Sequence, residues 1–134
     1  MSLKEIAGGC HCGAIRFTAA MDLSEPTLRC NCSICTKSRA WIAPILAEGF
    51  ALGDGSEVPS EYRFGAEVIT HCFCPRCGVK THGRIKGEGG TDEFVAVSVQ
   101  CLDLSPEELD AVPRAYVDGL NDRQDREPES AGYL

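Results

Sequence analysis

Seven closely spaced cysteines set the chemistry open to this chain. They fall as Cys10-His11-Cys12, Cys30-Asn31-Cys32-Ser33-Ile34-Cys35 and Cys74-Pro75-Arg76-Cys77-Gly78. Thiols one or two residues apart can converge on one ion, whereas disulfide partners usually lie far apart in sequence. Four soft thiolates in a tetrahedron favour zinc. The Cys-x-x-Cys-Gly string is a metal knuckle, in which glycine permits the tight turn and leaves backbone N–H groups facing sulfur. Iron is the weaker reading, because a rubredoxin-like site would pair this knuckle with a second Cys-x-x-Cys and not with a Cys-x-Cys. A disulfide framework fits poorly, since nine cysteines is an odd count and the expected compartment is reducing.

Two ions divide these thiols as four plus three. Cys30, Cys32 and Cys35 form the three-ligand candidate, because one short loop can wrap an ion with them. The pairs Cys10/Cys12 and Cys74/Cys77 then close a four-thiolate site that joins the start of the chain to its middle. A closed site has four protein ligands and a reactive one keeps a position open. Structural zinc contributes about 10–16 kcal/mol of apparent folding energy in small peptides. Cys72 reads as a packed thiol, with ligation as the alternative, because period two puts Val68, Thr70, Cys72 and Cys74 on one face of an extended segment. Cys101 follows Val95, Val97 and Val99 in alternation and is expected buried and inert on a strand. His11 is expected to point away from the metal.

The elements that must position these thiols are mainly strands. Extended segments are expected at Ala14–Thr18, Trp41–Leu46, Glu61–Phe64, Val68–Phe73, Val79–Arg84, Glu93–Cys101 and Ala115–Val117, with Pro44 marking an edge strand. Glycine-rich turns at residues 53–56 and 87–90 separate them. One short helix is expected after Ser105-Pro106-Glu107-Glu108, where Ser105 caps, Pro106 takes the first helical position and Glu108 completes a capping box.

With 134 residues, one domain is expected. It spans residues 1–120, followed by an acidic, mobile tail over residues 121–134. The chain carries 13 Lys+Arg against 20 Asp+Glu, a net charge of −7, so it gains nothing from releasing phosphate counterions and non-specific nucleic-acid binding is not expected. Its longest apolar run, residues 40–47, falls well short of the about 20 residues that cross a bilayer, so no membrane partner is expected. The start MSLKEIAGG lacks signal-peptide features, so a cytoplasmic location is expected.

The strings Gly9-Cys10-His11-Cys12-Gly13-Ala14-Ile15-Arg16-Phe17, Cys30-x-Cys32-Ser33-x-Cys35 and His71-x-Phe73-Cys74-x-x-Cys77-Gly78 resemble the glutathione-dependent formaldehyde-activating enzyme (GFA) family over roughly residues 8–120. Val97-x-Val99-x-Cys101-Leu102-Asp103 and Asp118-Gly119-x-Asn121 resemble the branch that includes centromere protein V. The resemblance implies several small coiled antiparallel sheets around two zinc ions. It also implies a closed zinc on Cys10, Cys12, Cys74 and Cys77, and an open zinc on Cys30, Cys32 and Cys35. The implied activity is a carbon–sulfur lyase reaction joining glutathione to formaldehyde as S-hydroxymethylglutathione. The alternative is a zinc-stabilised protein-binding or glutathione-carrier module without catalysis. Glutathione carries two carboxylates, which makes Lys37 and Arg39 its candidate contacts. Arg76, Lys80, Arg84 and Lys86 could add to them from one strand face. His71 and His82 are the candidate proton-transfer groups.

Overall fold

A computed structural model of the chain describes residues 3–134. Among these residues ten strands form two sheets. The first sheet holds β1 (Lys4–Gly9), β2 (Arg16–Met21) and β5 (Phe50–Leu52) in the order β1-β2-β5. The second holds β3 (Thr27–Cys30), β4 (Ile42–Leu46), β6 (Ser60–Tyr62), β7 (Ile69–Phe73), β8 (Lys80–Lys86), β9 (Asp92–Ser98) and β10 (Arg114–Val117). Its order is β10-β3-β4-β9-β8-β7-β6. All pairings are antiparallel except β10 with β3. The mainly β expectation holds, with two sheets in place of several small ones.

The alternating strand β2 turns Phe17, Ala19 and Met21 inward. They pack against Ala43, Val95 and Val97 of the larger sheet and against Trp41 and Val99 beside it, with Cys101, Leu102 and Val112 completing the core. Phe17 stacks on Phe50 with ring centroids 5.1 Å apart. The Trp41 indole N–H donates to Thr27 Oγ1 at 2.7 Å, so its one polar atom is satisfied inside the core.

Two expectations about particular residues need correction. Pro44 lies in β4, an interior strand, yet β3 meets β4 only at Leu28–Ile42. Beyond that contact the other edge of β4 is unpaired, which is where a residue without an N–H fits. Cys101 is buried in the core, but in a 3₁₀ turn (Val99–Cys101) that follows β9 and not on the strand itself. Its thiol is pushed up to about 11 by burial.

Among the described residues there are two α-helices, one more than expected. The segment α2 (Pro106–Ala111) carries the capping box as read, with Ser105 N donating to Glu108 Oε1 at 2.9 Å and Glu108 N to Ser105 Oγ at 3.1 Å. The unforeseen α1 (Ser33–Ser38) starts inside the Cys30–Cys35 string, with Cys32 as its N-cap residue, and ends at Arg39 in the left-handed region. No helix among the described residues is long and apolar enough to cross a membrane.

Strand β1 was also unforeseen, because its closing glycines give no β signal. A Cβ on Gly8 would lie 2.6 Å from the Cys101 carbonyl oxygen and 2.7 Å from Phe17 Cζ. The strand therefore passes closer to the core ring than any side chain permits. Gly8→Ala is expected to cost about 1–3 kcal/mol through this overpacking, read as a lower denaturation midpoint at unchanged m-value.

Candidate metal centres

Two hairpin tips build the first centre. The turn from β1 to β2 carries Cys10 and Cys12, and the turn from β7 to β8 carries Cys74 and Cys77. The two turns mirror each other. Cys10 N donates to Ile15 O at 3.1 Å, and Cys74 N to Val79 O at 3.0 Å. Each knuckle closes on a glycine at positive φ, Gly13 at 85° and Gly78 at 77°. Backbone N–H groups point at sulfur as the knuckle reading requires: Ile15 N to Cys10 Sγ at 3.3 Å, Arg76 N to Cys74 Sγ at 3.3 Å and Cys77 N to Cys74 Sγ at 3.4 Å.

All four Sγ atoms lie within 4.8 Å of one another. Cys10–Cys12 and Cys12–Cys74 are separated by 3.7 and 3.6 Å. Four sulfurs placed about 2.3 Å from a tetrahedral ion would stand about 3.8 Å apart, so this donor set fits such an ion. The Cys77 thiol is held down, to about 6, by the Val79 and Cys12 backbone N–H groups. That favours the thiolate a metal needs. His11 is exposed between its two cysteine neighbours and belongs to neither cluster.

The second centre is local. Cys30 ends β3, Cys32 caps α1 and Cys35 lies in its first turn. Their three Sγ atoms also fall within 4.8 Å, and among the described residues no fourth ligand atom joins them. Cys30 is pulled down to about 5, chiefly by the Cys35 thiol, with the Cys32 and Gly119 backbones adding to it, while Cys35 is pushed up by its Cys30 neighbour.

A carboxylate network that the sequence did not mark holds this loop. Asn31, between two of the cysteines, donates from Nδ2 to Asp118 Oδ1 at 2.9 Å and accepts from Leu120 N at 2.8 Å. Asp118 also receives Asn121 Nδ2 at 3.0 Å and Arg126 at 2.8 Å. Gly119 then lies against Cys30, where a Cβ would stand 2.4 Å from its Sγ. The segment 121–126, assigned to a tail from sequence, is thereby tied to the metal loop. Asp118-Gly119-x-Asn121 appeared in the family resemblance, but nothing in its spacing announced this contact.

The cross-strand rows separate the remaining candidates. Tyr62, His71, Gly83 and Ala96 pair in one row, and Glu61, Cys72, His82 and Val97 in the next. Adjacent rows point to opposite faces. Cys72 and His82 therefore face the core side, away from His71. Cys72 is fully buried and joins neither cluster, so it packs and does not ligate. His82 lies 4.4 Å from the Phe50 ring and contacts Thr81 Oγ1 at 2.8 Å. Burial lowers its imidazole to about 4, so it is neutral.

The basic residues divide as well. A bulge at Thr81 breaks the alternation of β8, setting Cys72 against His82 but Phe73 against Lys80. Arg84 pairs with Glu61 at 2.9 Å and Asp92 at 3.2 Å, and Arg76 pairs with Glu57. The single face proposed for Arg76, Lys80, Arg84 and Lys86 is thus corrected. Lys80 lies on the His71 side, with Nζ 2.8 Å from His71 Nδ1. Lys37 is exposed in α1; Arg39 bonds the Tyr133 carbonyl at 3.3 Å and repels Arg29.

A family model described as glutathione-dependent formaldehyde-activating enzyme matches residues 5–118. The chain belongs to the GFA family. A Halomonas elongata protein that carries the GFA name provisionally is 34% identical, covering 54% of this chain and 51% of that protein. The chain thus spans about half the length of this curated relative. A crystal structure of a Rhodobacter sphaeroides protein from structural genomics superposes with a TM-score of 0.67 at 29% identity, covering 82% of this chain and 100% of that one. Both cysteine clusters lie within the GFA match.

Asp118 supplies a test of the loop's support. Its carboxyl is held down to about 2, against 3.8 when free, by Asn121, Asn31 and Arg126. A depressed carboxyl adds stability that is complete above the free value and is lost as pH falls through the folded one. At pH 7 the whole contribution is present. Asp118→Asn is expected to weaken metal binding at the three-cysteine centre about 10–100-fold and leave the four-cysteine centre unchanged, measured by competition with a chromophoric chelator at pH 7.

Proposed function

We propose that the chain binds two zinc ions and uses the three-cysteine centre to add glutathione to formaldehyde, giving S-hydroxymethylglutathione. GFA membership supports the reaction class. The single observation that carries the reading is the donor count: four thiols converge at one centre and three at the other. A complete tetrahedron is a scaffold, whereas an ion with three protein ligands keeps a position for a reactant.

Bound at Cys30, Cys32 and Cys35, zinc would supply a coordination position at which a fourth thiol ionises near neutral pH. The chain's own residues set the rest of the chemistry. Three thiolates around a divalent ion leave one net negative charge, which suits holding a soft thiolate better than activating water. The Asn31–Asp118–Gly119 network fixes Cys30 and so the direction of the open position. His71 reaches this face of the sheet and His82 does not. Burial, with the charge of Lys80, keeps His71 near 4. It is neutral, and its Nδ1 accepts.

The reaction balances without any further reagent. The sulfur electron pair forms the C–S bond, the carbonyl π pair moves to oxygen, and the thiol proton ends on that oxygen. Holding both reactants at one site replaces a bimolecular encounter. Lys37, exposed two residues after Cys35, is the candidate contact for a glutathione carboxylate.

Two experiments test this. Zinc-loaded protein is expected to accelerate glutathione–formaldehyde exchange in two-dimensional exchange NMR above the spontaneous rate, and Cys32→Ser to remove the acceleration; rates equal to the protein-free control would refute catalysis. Metal analysis of Cys32→Ser should show one zinc per chain with the fold intact by circular dichroism. Cys74→Ser is expected to lose the other ion together with cooperative unfolding.

A further inference from the structure

Formaldehyde offers a protein one polar handle, its oxygen. A site that orients it therefore needs a donor beside the thiol position and on the same side of the sheet. Cys30 follows Leu28, whose row Leu28–Ile42–Ser98 lies two residues from the row that holds Ala96, Gly83 and His71. Period two places both rows on one face. The Thr81 bulge brings Lys80 to that face. Burial is the main influence on its ammonium and lowers it, against the opposing charges of Cys35, Cys32 and Cys72 nearby.

Lys80 differs from the basic residues around it. Arg76 and Arg84 are engaged by carboxylates, whereas Lys80 is half-buried and its bonded partner is the imidazole nitrogen of His71. That bond uses one of three ammonium N–H donors. His71 is itself fixed: Phe64 stacks on it with centroids 5.6 Å apart at 17°, and Tyr62 stands at 6.3 Å. Burial pulls this ammonium down and the neighbouring thiols push it back up, and the imidazole bond leaves two of its N–H donors for a ligand.

We propose that Lys80 is a catalytic residue of this site, donating an Nζ–H hydrogen bond to the aldehyde oxygen as the thiol adds to the carbon, with His71 as its positioning residue. This rests on the thiol–aldehyde reading above. As the C–S bond forms, the carbonyl pair moves onto the oxygen that Lys80 faces, and the thiol's proton completes the hydroxyl. The donor acts where charge develops, so its effect falls on turnover more than on thiol affinity.

The test uses zinc-loaded protein with glutathione and formaldehyde, followed by exchange NMR, with metal analysis and calorimetry for glutathione on each variant. Lys80→Met is expected to lower kcat about 100-fold while zinc content and glutathione affinity stay unchanged. Lys80→Gln, which keeps N–H donors, should recover part of the loss and carries the comparison if Lys80→Met does not fold. His71→Leu should lower kcat, and His71→Asn, whose amide oxygen can replace Nδ1 as acceptor, should restore it. A purely structural role would change zinc content in all four and show no rescue. Unchanged kcat in Lys80→Met overturns the proposal and leaves the GFA reading standing. Should the wild type bind glutathione without accelerating exchange, the catalytic reading fails. Lys80 is then judged by whether formaldehyde tightens glutathione binding in the wild type but not in Lys80→Met; equal tightening overturns it. Wild-type protein that binds no glutathione overturns both.

Discussion

The convergence of four thiols from two hairpin tips is the constraint on which this structure depends. One tip belongs to the three-stranded sheet and the other to the seven-stranded sheet. Behind them the sheets pack through a modest core in which Phe17, Trp41 and a run of valines supply most of the volume. A domain of this size buries only about two-thirds of its unfolded surface, so an ion that closes a loop of more than sixty residues changes the balance more than one further side-chain contact could. The mirrored turns matter here, because each aims backbone N–H groups at sulfur and so fixes the direction of its ligand atoms.

The second cluster is built on a different principle. Its three cysteines are neighbours in sequence, and no distant strand completes the set. Rigidity comes instead from Asp118, a buried carboxylate that gathers Asn31, Asn121 and Arg126 and brings Gly119 against Cys30. Hydrogen bonds in place of a fourth protein ligand order this loop. The two clusters offer the same kind of donor atom, and the difference between them lies in what surrounds the sulfur.

Cysteine spacing made both clusters legible in the sequence, because ligand convergence within a short loop is a local property. The capping box of α2 was legible for the same reason. What escaped was set by tertiary contact. Strand β1 ends in glycines that β-propensity disfavours, and only the nearby Phe17 ring explains them. Helix α1 follows one of the cysteines and contains another, so the residues that report metal binding hide the helical signal. The Asn31–Asp118 bond joins positions 87 residues apart, and no local rule predicts such a pair. His71 and His82 looked equivalent until the strand register placed them on opposite faces.

The same register decides how the cations of β8 are distributed in an acidic chain. In a regular β8, Lys80, His82 and Arg84 would share one face, and their charges would act together or be neutralised together. The extra residue at Thr81 divides them. Arg84 goes to Glu61 and Asp92, where it joins strands β6, β8 and β9. Lys80 goes to the other face, where its bonded partner is a neutral imidazole. A bulge adds twist and redirects a side chain at little cost when it sits at a strand end, and this one follows directly from the Cys74–Cys77 knuckle. The turn that closes the structural centre therefore also determines which face of the sheet receives the lysine, so the two cysteine clusters are coupled through the geometry of one strand.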